Sequence, residues 1–449
     1  MFKRSKLNTR IYAPTHRWRN YQVKLHKQSA KEKALRRLPA YLITLAILVA
    51  LTKGLFLIFD WTITRPSSVE ASLTPETVQP LEQTLLPHVL SNQPWATISQ
   101  KTFDLKAGIR EYRMSTNIMP ALQQVIIDNI DQKYAKYFGF VAMDPSTGKI
   151  LAMVSFDKTG ENSNVCTRPD FPAASLIKIV TAAAAIEKCG FTCTTPVAYN
   201  GKKYSLYKSQ LKHRENKYTN HITFEDSFAD SINPVFGKIG INQLKKAGLE
   251  KYATAFGFNR AIPFDIALPE SPLHILDEPY NWAEIACGFN RQTLISPLHA
   301  AVLVAGVINE GKLMVPTLID TAHENDELVY QSRSRTLNQA ISPHTAQILK
   351  KLMHATITEG TARSAFHARR RDDTLSNLNI GGKTGSINNN PLHIKYDWFA
   401  GFAEEINGPK KLAVAAFVAH KDYIGTRAAA YAKMAFQEYF RKPAADSNV

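Results

Sequence analysis

Residues 171–190 place the strongest constraint on how this chain folds. Pro172 stands where a helix can begin, and no helix-breaking residue follows until Gly190. The positions between them are mostly apolar or alanine, which predicts one helix buried in the core of a large domain. Ser175 would lie in the first turn with Lys178 three residues later, so both side chains would project from the same face.

Ser175 and Lys178 have the chemistry of a nucleophile and its base. A serine hydroxyl is a weak nucleophile at neutral pH, and a lysine activates it only when part of the amine is neutral. Burial supplies that condition, because desolvation disfavours the ammonium form. The four-residue pattern alone is weak evidence of catalysis, since it occurs twice more within residues 205–212, in a polar stretch.

The net charge is concentrated at the amino terminus. Residues 1–37 contain twelve Lys and Arg and one acid, Glu32, so they carry +11 of the total of +17. The remaining +6 is ordinary for a protein surface and does not favour a nucleic-acid-binding function. DNA binding by residues 1–37 stays a minor alternative.

An apolar segment, residues 40–59, follows the basic one and is long enough to cross the hydrocarbon layer as a helix. Lys53 can extend its amine toward the nearer interface, where Trp61 can anchor the segment. The alternatives are a cleaved signal peptide and a buried core helix. The long cationic leader, and the lack of a small-residue cleavage site after the segment, favour an uncleaved signal anchor. We therefore expect a basic cytoplasmic segment at 1–37 and a transmembrane anchor at 38–60.

The part beyond the anchor divides into a linker and one domain. Pro, Ser, Thr and Glu are frequent between residues 64 and 100, which predicts an extracytoplasmic linker over 61–109. The patterned segments all fall within 110–442, which we assign to a single domain. Apolar spacing predicts a helix over 120–133, and a capping serine before Pro297 predicts another that ends at Gly311.

Strands are predicted from short apolar runs. Residues 138–143 and 150–155 flank an Asp-Pro-Ser-Thr-Gly turn, which indicates a β-hairpin. Residues 398–403 and 412–418 indicate two further strands, and residues 426–440 a closing helix.

The chain has four cysteines, Cys166, Cys189, Cys193 and Cys287, which the predicted topology would place in an oxidising compartment. Cys189 and Cys193 flank Gly190 and are the pair we predict to be bridged, although four cysteines allow three connectivities and sequence does not choose among them. No paired histidines accompany them, so the sequence does not predict a zinc site.

Three short motifs occur in one order, with separations of 56 and 152 residues. Each is weak alone, but jointly they are a strong signal. The motifs are Ser175-x-x-Lys178, Ser231-x-Asn233 and Lys383-Thr384-Gly385.

This set resembles the penicillin-binding D,D-transpeptidases and the serine β-lactamases, and the separations resemble those of the transpeptidases. The resemblance covers roughly residues 110–440 and extends to 143–153, 296–298 and 398–401. It departs from the family at Ser386, where many members have threonine, and at residues 287–292, which match a glycine-rich family stretch only loosely.

The resemblance implies an α/β (α+β) fold. Its parts would be an antiparallel five-stranded sheet flanked by helices and an all-helical subdomain, tethered by one N-terminal transmembrane helix. It implies catalysis of peptidoglycan cross-linking through a serine acyl-enzyme that penicillin also forms. The expected location is the cytoplasmic membrane, with the amino terminus inside and the catalytic domain periplasmic.

The resemblance also implies a role for each motif residue. Ser175 would attack the carbonyl between two terminal D-alanines, and neutral Lys178 would accept its proton. Ser231 would relay that proton to the leaving amine, while Asn233 would orient the donor peptide.

The Lys383 motif would bind the substrate's end. Lys383 would face the terminal carboxylate, and the Thr384 hydroxyl would donate a hydrogen bond to it. Gly385 would leave room for the substrate along the strand. The backbone N–H groups of Ser175 and Ser386 would form the oxyanion hole.

No metal or organic cofactor is implied. The implied partners are stem peptides ending in D-Ala-D-Ala, β-lactams and the membrane, without nucleic acid. A glycosyltransferase partner is also implied, because no glycosyltransferase module is recognisable before residue 100.

Three alternatives share the fold: a β-lactamase, a D,D-carboxypeptidase, and a non-catalytic β-lactam sensor or scaffold. A β-lactamase needs a base for deacylation, and no Glu-x-x-Leu-Asn arrangement supplies one. The complete set of motifs argues against a scaffold, and the basic segment of 37 residues is too short for signalling machinery. A cross-linking transferase is therefore favoured.

Overall fold

The computed structural model describes residues 86–90, 93–94, 98–160 and 164–442, all within the unit Gln79–Val449. Within these ranges no helix combines the length and the apolar character that crossing a membrane requires. The predicted anchor at 38–60 and the basic segment at 1–37 lie outside the described residues.

The strands of the described residues are listed here in chain order: β1 Thr102–Ala107, β2 Arg110–Thr116, β3 Ala135–Met143, β4 Ile150–Asp157, β5 Phe171–Pro172, β6 Pro196–Tyr199, β7 Asn220–Thr223, β8 Leu294–Ile295, β9 Lys312–Met314, β10 Ile319–Glu324, β11 Glu327–Gln331, β12 Thr336–Gln339, β13 Leu378–Asn389, β14 Ile394–Glu405 and β15 Lys411–Lys421.

The α-helices of the same residues are α1 Leu86–Leu90, α2 Pro120–Asp128, α3 Ile177–Cys189, α4 Lys208–Leu211, α5 Phe224–Ala229, α6 Asn233–Ile239, α7 Lys245–Ala255, α8 Pro279–Cys287, α9 Pro297–Ile308, α10 Pro343–Thr358, α11 Arg363–Phe366 and α12 Ala428–Tyr439. A π-helical turn, Gly240–Leu244, joins α6 to α7.

The central sheet has five antiparallel strands in the order β13-β14-β15-β3-β4, which confirms the predicted sheet. β3 and β4 form the predicted hairpin. Its turn is fixed by the Asp144 side chain, whose Oδ1 accepts the Ser146 N–H at 2.8 Å, and by Gly148 at a φ of +87°. β13 is an edge strand of this sheet, so one side of it faces the cleft described below.

The central sheet is covered on both faces. Along β15, Val414 and Val418 point to the face on which α2 and α12 pack, while Ala415 and Phe417 point to the face covered by α9. Because both faces are buried, these strands are nearly continuous apolar runs in the sequence. That is why residues 398–403 and 412–418 were predictable as strands, and both are confirmed.

A helical region from α3 to α8 lies between β5 and β8 in the chain. It contains the hairpin of β6 and β7, so the predicted subdomain is mainly helical and not all-helical. α3 is its central helix and is buried at every position from Ile177 to Ile186. It ends at Gly190, as predicted, where φ is 68° and the backbone N–H donates to the Ala185 and Ile186 carbonyls.

The predicted start of α3 was wrong. Phe171 and Pro172 form β5 and pair with β8, and a 3₁₀ turn, Ala174–Leu176, precedes the α-helix at Ile177. The reason is tertiary: the Phe171 ring packs 4.2 Å from the Phe417 ring, and the Ala173 N–H donates to the Thr293 carbonyl at 2.9 Å. We call Ala174–Leu176 the nucleophile turn.

The predicted linker contains folded structure. β1, at 102–107, pairs with β2 in a four-stranded sheet of order β1-β2-β10-β11, so a boundary at 110 divides a hairpin. Only Phe103 and Leu105 of β1 are buried. This alternation of buried and exposed residues is short, and the sequence prediction, which relied on the composition of the segment, did not detect it. The predicted helix at 120–133 ends at Asp128, and the one at Pro297 ends at Ile308.

The predicted Cys189–Cys193 disulfide was also wrong: both are free thiols, as are Cys166 and Cys287. The chain past α3 is attached to α5 instead. There the Glu225 N–H donates to the Cys193 carbonyl at 3.1 Å, and the Glu225 side chain forms a hydrogen bond with the Cys193 thiol.

Candidate active site

The nucleophile turn is held in a strained conformation by its neighbours. Ala174 has a φ of 47°, a left-handed value that costs an L-residue about 1–2 kcal/mol. Gly288, which ends α8 at a φ of +72°, lies directly against it: a Cβ on Gly288 would be 1.9 Å from the Ala174 carbonyl oxygen. Ser175 therefore has its position only because residue 288 is glycine.

The other side of the turn is attached to the central sheet. The buried Trp398 indole on β14 donates its Nε1–H to the Pro172 carbonyl at 2.9 Å. A Cβ on Gly385 of β13 would lie 3.3 Å from both the Ala173 carbonyl oxygen and Trp398 Cβ, so the edge strand approaches the turn closely. This fixes the distance between Ser175 and the strand that carries Lys383.

Lys178 joins three separate segments. Its Nζ lies 2.8 Å from Ser175 Oγ and donates to Asn233 Oδ1 at 2.8 Å and to the Cys287 carbonyl at 2.6 Å. The side chain is fully buried, and this desolvation lowers the pKa of Lys178 to about 8. A substantial fraction of the amine is therefore neutral near physiological pH, which a proton acceptor for Ser175 requires.

Ser231 and Asn233 face the same cleft from the segment between α5 and α6. Ser231 is in a left-handed conformation, φ 57°, and its buried Oγ has no hydrogen-bond partner among the described residues. Asn233 begins α6, followed by Pro234, and its Nδ2 donates to the Tyr204 carbonyl at 3.0 Å. The amide is thus fixed at both ends, while the Ser231 hydroxyl is available to a substrate.

Lys383 is a second fully buried lysine, on β13. Its Nζ lies 3.2 Å from the Thr384 carbonyl and 5.4 Å from the centre of the Phe228 ring, and it forms no ion pair among the described residues. Burial lowers the pKa of Lys383 well below its ordinary value; the nearby Lys178 lowers it further and Asp230 opposes this. An anion bound here would stabilise the ammonium form.

Thr384 and Ser386 complete the motif on the edge strand. Thr384 Oγ1 lies 2.5 Å from Thr361 Oγ1, and both residues line the cleft. Ser386 is exposed and also lines it. Gly385 is buried beneath, where it packs against the nucleophile turn.

These residues surround one cavity of ≈ 1140 Å³. The structure thus brings all three sequence motifs together: Lys178, Lys383 and Gly385 are buried at its base, and the other predicted residues form its walls. Its lining includes Ser175, Tyr204, Ser231, Asn233, Gly288, Phe289, Arg291, Thr361, Thr384, Ser386 and Asp397. No group of His, Cys, Asp or Glu side chains in the described part of the chain is arranged to hold a metal ion.

Several residues at this cavity were not predicted. The Cys287 carbonyl and Gly288 act through the backbone, which leaves no side-chain signature; the only signal was the loose match at 287–292. Thr361 carried no signal beyond following a glycine after a helix. Tyr204 and Phe289 are both exposed and form aromatic walls of the cavity. Tyr204 adjoins the polar stretch 205–212, and Phe289 lies in the loosely matching segment 287–292.

The sequence of the chain matches a known family over most of the described domain. The sequence model of the penicillin-binding protein transpeptidase domain matches residues 138–438. This chain belongs to that family. The predicted resemblance is therefore confirmed at the level of the family.

Individual relatives of this penicillin-binding protein are distant. Peptidoglycan D,D-transpeptidase PbpA of Mycobacterium tuberculosis is 26% identical over 349 residues, which cover 68% of this chain and 67% of that protein. Penicillin-binding protein 1A of Neisseria lactamica is 26% identical over 277 residues, 59% of this chain and 31% of that protein. The match therefore spans about a third of the length of penicillin-binding protein 1A and about two thirds of the length of PbpA.

A solved structure shows the same fold. The D,D-transpeptidase domain of a peptidoglycan glycosyltransferase from Eggerthella lenta superposes with a TM-score of 0.62 at 20% identity. The match covers 79% of this chain and 86% of that one.

Proposed function

We propose that this penicillin-binding protein is a membrane-anchored D,D-transpeptidase that cross-links peptidoglycan stem peptides through an acyl-enzyme on Ser175. One observation carries the proposal: the fully buried Lys178 amine, with a pKa lowered to about 8, lies 2.8 Å from the Ser175 hydroxyl. A neutral amine at this distance is the general base that a serine nucleophile needs.

Acylation proceeds in two stages. Ser175 Oγ attacks the carbonyl carbon between the two terminal D-alanines while Lys178 takes its proton. The carbon–nitrogen bond then breaks, and the proton passes through Ser231 to the leaving D-alanine amine. The N–H groups of Ser175 and Ser386 stabilise the oxyanion, a contribution of about 2.7–4 kcal/mol per donor in tested enzymes.

Substrate recognition uses the base and wall of the cleft. The terminal carboxylate faces Lys383 and accepts a hydrogen bond from the Thr384 hydroxyl. It thereby supplies an anion to a buried amine that otherwise has no ion-pair partner among the described residues. Asn233, fixed by Lys178 and Tyr204, presents its amide to the donor peptide.

The charges of the cleft support transfer to an amine over hydrolysis by water. Asp397 is the single carboxylate among the described residues that line the cavity. It accepts the Ala428 N–H at 3.0 Å and lies 3.6 Å from Arg427, so it caps α12 and is unsuited as a base for water. A rapid β-lactamase reaction would need such a base at Ser175.

The remaining parts of the proposal concern location. Residues 38–60 form the anchor, residues 1–37 stay in the cytoplasm, and the catalytic domain is periplasmic. A glycosyltransferase partner supplies the glycan strands; in support, one structurally similar chain, with a TM-score of 0.56 at 18% identity, comes from a peptidoglycan synthase complex that coordinates polymerization and crosslinking. A chain that starts at residue 61 is expected in the soluble fraction of exporting cells, and its retention in washed membranes would contradict the anchor.

The proposed function is tested by labelling membranes with a fluorescent penicillin. Wild type is expected to be labelled and Ser175→Ala to be unlabelled. Ser209→Ala is the matched control, because Ser209 is exposed and also stands three residues before a lysine. Label that persists in Ser175→Ala, or is lost in Ser209→Ala, would contradict the assignment. Release of D-alanine and formation of a cross-linked dimer from a stem peptide would then identify the reaction as transpeptidation.

A further inference from the structure

Thr361 faces Thr384 across the back of the cleft. It follows α10, which packs against β13, and its Oγ1 lies 2.5 Å from Thr384 Oγ1. Both side chains are partly exposed and line the cavity that Ser175 opens into.

The backbone of Thr361 is attached to the segment that carries Ser231. The Thr361 N–H donates to the Ala229 carbonyl at 3.1 Å, at the end of α5 and two residues before Ser231. The preceding residue must be glycine, because a Cβ on Gly360 would lie 2.3 Å from the same carbonyl oxygen. Thr361 thus connects two of the three motifs. Its backbone is fixed to the segment that carries Ser231, and its hydroxyl contacts Thr384 of the Lys383 motif.

The direction of the hydroxyl pair decides what Thr384 offers to a ligand. Each hydroxyl has one proton to donate. If Thr384 donates to Thr361, only lone pairs of Thr384 face the cleft, and they repel a carboxylate. If Thr361 donates to Thr384, the Thr384 proton is free for the ligand. The other acceptor near Thr361 Oγ1 is the Ala229 carbonyl, which is 3.4 Å away and already accepts the Thr361 N–H.

We propose that Thr361 is a positioning residue that donates its proton to Thr384 and so keeps the Thr384 hydroxyl directed as a donor at the substrate's terminal carboxylate. This deepens the proposed function and rests on it. The contribution of Thr361 is indirect. Without it, Thr384 still has a proton but loses its fixed direction and the polarisation that a donated hydrogen bond supplies.

The test compares two ligands with five variants of the full chain in solubilised membranes. The ligands are a penicillin with its free carboxylate and the methyl ester of the same penicillin, and the readout is the second-order acylation rate of Ser175. Thr361→Val keeps the shape and removes the hydroxyl, and Thr361→Ser restores the hydroxyl. Thr358→Val is the matched control, because the Thr358 hydroxyl contacts only carbonyls of its own helix. The last two variants are Thr384→Val and the double variant that combines Thr361→Val with Thr384→Val.

Thr361→Val is expected to slow acylation by the free acid roughly three- to tenfold, the range of an ordinary hydrogen bond, and to leave the ester within about twofold. Thr361→Ser and Thr358→Val are expected to behave as wild type. In the double variant, Thr361→Val should add nothing to Thr384→Val, because the first residue acts through the second.

Equal losses with acid and ester would show a merely structural role and would overturn the proposal, as would additive losses in the double variant or no loss at all. A wild type that neither ligand acylates would instead contradict the proposed function itself. The two failures are therefore distinguishable.

Discussion

The pH dependence of acylation follows directly from the burial of Lys178. A lysine with the ordinary pKa of 10.5 is only about 0.03% neutral at pH 7, whereas a pKa of about 8 leaves about 10% neutral at pH 7 and about 90% at pH 9. In the proposed mechanism the neutral amine accepts the Ser175 proton, so the acylation rate should rise roughly ninefold between pH 7 and pH 9 and then level off.

The assay is stopped-flow acylation by a fluorescent penicillin at saturating concentration. The limiting rate is the correct quantity, because deprotonation of Lys383 at high pH would weaken ligand binding and not proton transfer. Heat-denatured protein controls for chemical decay of the reagent. Lys178→Arg should abolish acylation at every pH, since a guanidinium stays protonated.

Two results would refute this reasoning. A limiting rate that is flat between pH 7 and pH 9 would mean that the base titrates outside this window. A normal rate in Lys178→Arg would remove Lys178 as the base altogether.

Three further predictions concern stability and the position of the turn. The pKa of Lys383 is well below 10.5 in the folded protein, so between its folded and unfolded pKa values the folded state binds fewer protons than the unfolded state and stability rises with pH. Lys383→Met should therefore raise the Tm at pH 7, and a gain that does not shrink toward pH 10 would contradict this. Gly288→Ala should slow acylation more than roughly tenfold, because its Cβ would collide with the nucleophile turn. Gly190→Ala is the control: Gly190 has a similar positive φ but no atom within 4 Å of the added Cβ, so this variant should lose only about 1–2 kcal/mol of stability. Equal acylation rates in the two variants would refute the reasoning. Trp398→Phe removes the buried hydrogen bond of 2.9 Å to the Pro172 carbonyl and should lower the free energy of unfolding by about 1–3 kcal/mol in urea titrations. An unchanged free energy of unfolding would contradict the stabilising role of this hydrogen bond.

The sequence was informative where a segment's burial is uniform. β3, β4, β14 and β15 are buried on both faces and were found as apolar runs, and Gly190 correctly marked the end of α3. The sequence was misleading where tertiary contacts overrode a local signal. Pro172 has the properties of a helix start, but the packing of Phe171 and the pairing of β5 with β8 keep it extended.

The candidate site was predictable through side chains and not through backbone atoms. The serines, lysines and amide of the three motifs could be named because nucleophiles, bases and amides have characteristic residue types. The carbonyls of Ala174 and Cys287 could not, because any residue supplies one and only the fold determines where it points. The five-stranded antiparallel sheet was expected from the family resemblance alone, and the order of its strands was not predicted. The anchor at 38–60 stays a prediction.

The Lys178 amine contacts a turn, a helix start and a helix end that lie 3, 55 and 109 residues away along the chain. If any one of these segments were undocked, water would reach the amine and restore an ordinary ammonium, and the serine would be inert. An incompletely folded polypeptide would thus be chemically silent toward penicillin. A covalent penicillin signal consequently counts correctly folded molecules and not total protein.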